Sequence, residues 1–135
     1  MAFFVPTITS GNSDNEFGPG IYTTSSLSHA LRYVGRQGAL MVFQNPDFQN
    51  LNLCEPSEDD WRVIVGFWCR LPLSDAAERV PEQWKNTDIM KGPISRRGNR
   101  TEPARVSGQD VQVVGVSYAG CAALAASLKM IIWME

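Results

Sequence analysis

The sequence predicts an α+β domain with a mixed or mainly antiparallel sheet. Two observations carry this. Short β-branched or aromatic runs, such as Gly20-Ile-Tyr-Thr-Thr24 and Asp110-Val-Gln-Val-Val-Gly-Val-Ser117, alternate with stretches whose apolar residues recur at i, i+3, i+4 and i+7. The two kinds of segment are interspersed without the regular spacing of βαβ units, which disfavours a doubly wound parallel sheet.

The elements follow in chain order. Ala2 to Val5 is an apolar run stopped by Pro6, either a strand or the tail of a segment whose start is missing. Residues 9 to 20 are rich in Ser, Gly, Asn and Asp and read as a surface loop. Gly20 to Thr24 reads as a strand leaving that loop. Ser25 or Ser26 caps a helix with the stripe Leu27, Ala30, Leu31 and Val34, ended by Gly35 and Gly38. The wholly apolar Ala39 to Phe43 reads as a central strand, and Phe48 to Leu53 as a weaker one.

Ser57-Glu-Asp-Asp60 reads as a helix start, with a capping hydroxyl and carboxylates where the dipole favours them. Trp61, Ile64, Val65 and Trp68 form its stripe, and Pro72 stops it. Asp75 to Val80 reads as a short helix ended by Pro81. Thr87 to Met90 reads as a strand broken at Gly92-Pro93. Ile94 to Pro103 shows no apolar alternation and reads as a mobile loop. A strand over Asp110 to Ser117 and a small-residue helix over Ala119 to Leu128 follow. Lys129 to Met134 is either a last strand or continued helix.

Bulk properties bound the function. The 135 residues suit one domain, residues 1–135, and 44% hydrophobic content is enough for an ordinary core. A net charge of −2 gives no general reason to bind nucleic acid or an anionic membrane. The short basic run Arg96-Arg97-Gly-Asn-Arg100, with Arg105 nearby, reads as a solvated loop, the alternative being a phosphate- or RNA-contacting one. Cys54, Cys69 and Cys121 lack metal-ligand spacing, and one His accompanies them, so no metal site is expected. Cys69 and Cys121 read as buried thiols in a reducing, cytoplasmic compartment. No run approaches the roughly 18 apolar residues of a membrane helix, and Met1 to Pro6 lacks the basic start of a signal peptide. With one His and no Gly-x-x-x-x-Gly-Lys-Ser/Thr, triad hydrolases and P-loop enzymes are not expected.

Phe17-Gly-Pro-Gly-Ile-Tyr-Thr-Thr-Ser-Ser26 is the most informative run. Two glycines around a proline make a rigid turn where backbone approaches a ligand closely. An aromatic and then hydroxyls follow on the strand. The same residue types also make an ordinary glycine turn into a strand.

The run resembles the second motif of the poly(ADP-ribose)polymerase-like ADP-ribosyltransferase superfamily. It is similar to a microbial and fungal branch carrying Asp-Phe-Gly-x-Gly-Phe-Tyr-Thr-Thr before a helix with an Ala and an aromatic. Here the match is Glu16 to Thr24, then Ala30 and Tyr33. Trp61 onward, Asp88-Ile-Met-Lys-Gly-Pro-Ile94, Gln112-Val113-Val114 and Ala119 to Leu128 resemble later segments of that branch in order, over about residues 14 to 128. The resemblance implies an ADP-ribosyltransferase-like split sheet with flanking helices and NAD as a substrate. It implies that Tyr22 stacks on nicotinamide and Gln112 bonds the nicotinamide ribose. It also implies that Gly18, Gly20, Thr24, Ser25 and Tyr33 line the dinucleotide site.

Two departures accompany it. The first-strand His-Gly-Thr has no counterpart in the 17 residues before Gly18. Either that strand is lost, or Thr7 to Ser10 substitutes for it, or the sequence begins inside the domain. Gln112 stands where many members have Glu. A neutral amide stabilises an oxocarbenium-like cation less than a carboxylate, which points away from polymerase activity. Mono-ADP-ribosyl transfer to a protein acceptor, or hydrolysis of NAD, is the expected chemistry. The alternative is an inactive relative that binds a nucleotide, an ADP-ribose-like group or a protein. His29, off the apolar stripe, reads as surface. Glu102 and Asp110 read as solvated carboxylates, and Glu16 as a brace for the glycine turn.

Overall fold

A computed structural model describes residues 2–4, 15–34, 36, 38–69, 84–96, 104–105 and 108–134. Among these residues, nine strands and three helices run in the order β1 (Ala2–Phe4), β2 (Ile21–Thr24), α1 (Leu27–Val34), β3 (Gly38–Phe43), β4 (Leu53–Cys54), α2 (Glu58–Trp68), β5 (Ile89–Pro93), β6 (Ser95–Arg96), β7 (Ala104–Arg105), β8 (Val111–Gly115), α3 (Tyr118–Ala126) and β9 (Leu128–Met134). Seven strands form one sheet in the order β4-β5-β8-β2-β1-β3-β9, and β6 pairs with β7 alone. Only β4 and β5 run parallel; the other pairings are antiparallel. The class is α+β with a mixed, mainly antiparallel sheet, as the composition of the segments predicts.

The helix starts follow from the sequence. Ser57 Oγ accepts from the Asp60 N–H at 3.2 Å, with Glu58, Asp59 and Asp60 in the first turn of α2. Ser117 Oγ accepts from the Gly120 N–H at 3.0 Å to cap α3. For α1 the cap is Ser26, whose Oγ accepts from the His29 N–H at 3.2 Å. Ser25 instead extends the sheet: its N–H donates to the Val111 carbonyl at 3.0 Å, and its Oγ accepts from the Val111 N–H at 3.1 Å.

The principal core joins Phe17, Trp61, Ile64, Val65, Trp84, Met90 and Val114. Met90 and Val114 are direct partners on β5 and β8, so they share a face, and α2 covers it. The opposite face belongs to α3. A Cβ on Gly115 would press on the Gly120 and Cys121 backbone at 2.8 Å, and a Cβ on Gly120 would collide with the Asp88 carbonyl oxygen. Small residues in α3 therefore let helix and sheet backbones touch. Asp88 secures this junction by accepting from Ser117 Oγ at 2.6 Å and from the Asn52 N–H at 2.9 Å. These bonds, Ser117 first, hold its carboxyl below the ordinary carboxylate value.

Several sequence expectations are corrected. Phe48 to Asn52 is a turn with Asn50 at φ 64°, and only Leu53–Cys54 pairs. β5 does not break at Gly92 but runs to Pro93, which closes the ladder opposite Val111. Pro93 sits at the strand end, where its missing N–H costs least. Ser95–Arg96, read as loop, pairs with Ala104–Arg105. The α1 stripe is half-covered, with Ala30 buried but Leu27 and Leu31 exposed. Trp68, at the end of the α2 stripe, is exposed as well. Cys69 and Cys121 are half-buried. Lys129 to Met134 is strand, not helix. The expected helix over Asp75 to Val80, and the parts of the basic run and its surroundings at Arg97 to Pro103, lie outside the described residues.

Gly120→Ala tests the close junction. Alanine gains roughly 0.5–1 kcal/mol of helix propensity, but the added methyl meets backbone that cannot yield. Overpacking of this kind costs about 1–3 kcal/mol. A net loss of stability in urea titration is expected; a gain would refute the contact.

Candidate functional site

The glycine turn is anchored from both sides. Phe17 is buried, and a Cβ on Gly92 would lie 3.0 Å from its ring. Gly18 adopts φ 82°, a region that L side chains rarely occupy, and Trp68 lies over it. A Cβ there would stand 2.7 Å from the Trp68 indole. A Cβ on Gly20 would collide with the Gly115 carbonyl oxygen and meet Val114 at 3.0 Å. The turn therefore needs glycine at Gly18 for conformation and at Gly20 for space.

Tyr22 reaches back into the turn that precedes it. Its hydroxyl accepts from the Phe17 N–H at 2.8 Å and donates to the Gly18 carbonyl at 2.5 Å. The Gly18 N–H donates to the Asn15 carbonyl at 3.0 Å. The Tyr22 ring packs on the core beside Val114. Burial pushes the phenol far above its ordinary value of 10.0; the Phe17 N–H opposes this, and the Glu16 carboxylate adds to it. The phenol is neutral across the physiological range.

Strand register then decides which side chains meet. Tyr22 pairs with Val114 and Thr24 with Gln112. Residues two apart on a strand share a face, so Tyr22, Thr24, Gln112 and Val114 stand on one face of the β2–β8 ladder. Thr23 stands on the other, its Oγ1 donating to the Val113 carbonyl at 2.7 Å. Thr24 and Gln112 are both buried. Thr24 Oγ1 accepts from the Ser26 N–H at 3.0 Å, which ties β2 to the start of α1.

Gln112 is the centre of a polar network. Its Nε2 donates to the Pro93 carbonyl at 3.0 Å and to the Glu16 carboxylate. The Glu16 carboxylate also accepts from the Ser95 N–H at 3.2 Å and from Ser95 Oγ. The Pro93 carbonyl takes a further bond from Trp61 Nε1 at 3.2 Å. One carboxylate thus links the glycine turn, the β6–β7 ribbon and β8.

The structure brings together Gly18, Gly20, Tyr22, Thr24 and Gln112, with Ser25 at the end of the same ladder. Tyr33 stands instead exposed on α1, its ring centroid 5.1 Å from that of the half-buried His29 at a 48° tilt. His29 is half-buried rather than on the surface. Burial lowers its imidazole below the ordinary value, Arg32 adds to this, and Asp110 opposes it. Glu102 lies outside the described residues, as does the stretch Thr7 to Ser10. Among the described residues, no group of three or more His, Cys, Asp or Glu is placed to hold a metal ion. Among them, too, no helix is long and apolar enough to cross a membrane.

Sequence reasoning gave Glu16 only a bracing role and missed Ser95 and Pro93. Their bonds join residues 79, 96 and 19 positions apart, and nothing local marks them. Trp68 was assigned to a core stripe, whereas it covers the turn. Comparison of the chain with protein-family models, curated proteins and solved structures gives no match.

Tyr22→Phe keeps the ring and removes the hydroxyl. It leaves the Phe17 N–H without its acceptor, which costs about 1–3 kcal/mol where the group is shielded from water. Because folding raises the phenol's pKa, Tyr22 contributes stability that is full below about pH 10 and lost as pH rises further. Urea titrations from pH 8 to 11 should show the parent losing stability more steeply than Tyr22→Phe. Parallel curves would contradict the buried, neutral phenol.

Proposed function

We propose that the chain is an ADP-ribosyltransferase-like protein that takes NAD as substrate and releases nicotinamide. The ADP-ribosyl group passes singly to a protein acceptor or to water. The observation that supports this most is the shared face: the two residues with expected chemical roles, Tyr22 and Gln112, stand on adjacent strands beneath the glycine turn. The order of the motifs along the chain supports the finer reading of the α+β sheet as ADP-ribosyltransferase-like.

The chemistry asks for orientation and for negative charge. Cleaving the bond between nicotinamide and ribose develops positive charge on the sugar, so groups that bind that charge lower the barrier. Tyr22, held at its hydroxyl by the turn, offers a ring of fixed orientation to nicotinamide. Gly20 backbone, Thr24 and Ser25 border the place of the carboxamide. Gln112 bonds the ribose hydroxyls. Its neutrality is offset by Glu16, whose carboxylate is hydrogen-bonded to the Gln112 amide. Glu16 thereby supplies the charge that the amide lacks.

A second reading has its own observation. The Tyr22 hydroxyl is engaged by Phe17 and Gly18, and the Gln112 amide by Glu16 and Pro93. Polar groups satisfied within the protein suit a relative that binds an ADP-ribose-like group without cleaving the dinucleotide.

Nicotinamide release, followed by chromatography, separates the two. The parent is expected to release it, and Tyr22→Ala to abolish release. Glu16→Gln, which keeps the side-chain shape, should lower it roughly 10- to 1,000-fold, as for loss of one charge-stabilising group. Calorimetry with ADP-ribose reads binding in parallel. Binding without release by the parent selects the second reading, and neither binding nor release refutes both.

A further inference from the structure

The far end of the sheet has a different character from the site. β9 is the terminal strand of the seven and, among the described residues, pairs with β3 alone. Its sequence, Leu-Lys-Met-Ile-Ile-Trp-Met, carries one charge in seven residues. Along it Leu128, Met130, Ile131, Ile132 and Trp133 are all exposed, Trp133 by 75%. Met130 and Ile132 share a face with Val42 and Leu40, whereas Ile131 and Trp133 share the opposite one with Met41 and Ala39. Both faces and the free edge are therefore open and apolar.

A free edge presents a row of N–H and C=O groups ready to pair with another strand, and proteins ordinarily blunt such edges with charges, prolines or bulges. Here the ladder slips where Val42 faces Met130 and Phe43 faces Leu128, so Lys129 is the extra residue and both the irregularity and the one charge of β9 sit at its start. The five residues from Met130 to Met134 carry no charge and no proline.

We infer that β9 is the interface of a two-fold homodimer, in which it pairs antiparallel with β9 of a second copy to make one sheet of fourteen strands. Three considerations select this occupant. The first is register. Centred on Ile131, the pairing runs along the strand and sets Met130 opposite Ile132 beyond the irregularity at Lys129. The second is charge. The same register keeps the two Lys129 ammonium groups apart and brings each toward the end that bears Trp133, whose exposed indole suits a cation. A register centred on Lys129 would oppose like charges. The third is area. Five large apolar side chains at these exposures present on the order of 500 Å² per copy. Edge pairing covers the part of this surface that lines the seam, which gives an interface at the small end of the specific range, and the backbone bonds add to it. A two-fold axis closes the assembly, so no edge strand of this kind remains to extend it. The inference does not depend on the proposed reaction.

Sedimentation velocity on the full chain tests it. The expected species has twice the chain mass of 15.0 kDa. Ile131→Lys places two ammonium groups across the axis and should give a monomer at concentrations where the parent is dimeric. Ile131 is already 42% exposed, so the lysine should be accommodated in the fold, which circular dichroism checks. Ile131→Cys tests the register, because facing Cα atoms of an antiparallel pair are about 4.5–5.5 Å apart, within disulfide reach. Oxidation should crosslink that variant to itself, and Met130→Cys should crosslink at least tenfold less. A monomeric parent, a dimer that survives Ile131→Lys, open-ended polymers, or capture of an extended peptide by a monomer would each overturn the inference.

Discussion

The burial of Phe17 is the constraint on which the rest of the site depends. Its ring fills the space over Gly92 and meets Trp61, so α2, β5 and the glycine turn share one contact. With Phe17 fixed, the neighbouring residues have little freedom. Gly18 must reverse the chain with positive φ, and Glu16 must turn toward Ser95 and Gln112. The Tyr22 hydroxyl then closes the loop on both sides of the Phe17–Gly18 peptide. A buried aromatic of this size contributes several kcal/mol when intact, more than the hydrogen bonds around it contribute singly. Packing sets the position, and the hydrogen bonds sharpen it.

Parts of this were legible in the sequence. The Ser57 cap, its acidic first turn and the Trp61, Ile64, Val65 stripe specify α2 through purely local signals, and the structure keeps them. β2, β3, β8 and α3 were legible for the same reason. The alternation in β2 and β8 even allows Tyr22 and Gln112 to share a face, once the two strands are known to pair. What was not legible depends on distant partners. β5 runs on through Gly92 because Phe17 needs the missing Cβ there. It ends at Pro93 because that residue's carbonyl, not its absent N–H, is what Trp61 and Gln112 use. The β6–β7 ribbon has no apolar pattern, and its link to the turn passes through Glu16. Exposure of Leu27, Leu31 and Trp68 was hidden because periodicity tells which residues align, not what lies opposite them.

The two ends of the sheet are therefore built differently. Around β5, β8 and β2, helices cover both faces, and close backbone contacts at Gly115 and Gly120 leave little slack. Rigid surroundings of this kind hold functional groups to the tolerance that binding or catalysis needs. Around β9, neither face is closed, and apolar side chains stand in water. β1 and β3 separate the two regions.

We propose that NAD meets the protein at the face bearing Tyr22, Thr24 and Gln112. Titration of the isotope-labelled chain with NAD, followed by amide nuclear magnetic resonance, addresses it directly. The account predicts shifts confined to Gly18 through Ser25 and to Gln112, including the separate signals of its side-chain amide. Shifts confined to other elements, or none at millimolar NAD, would contradict it.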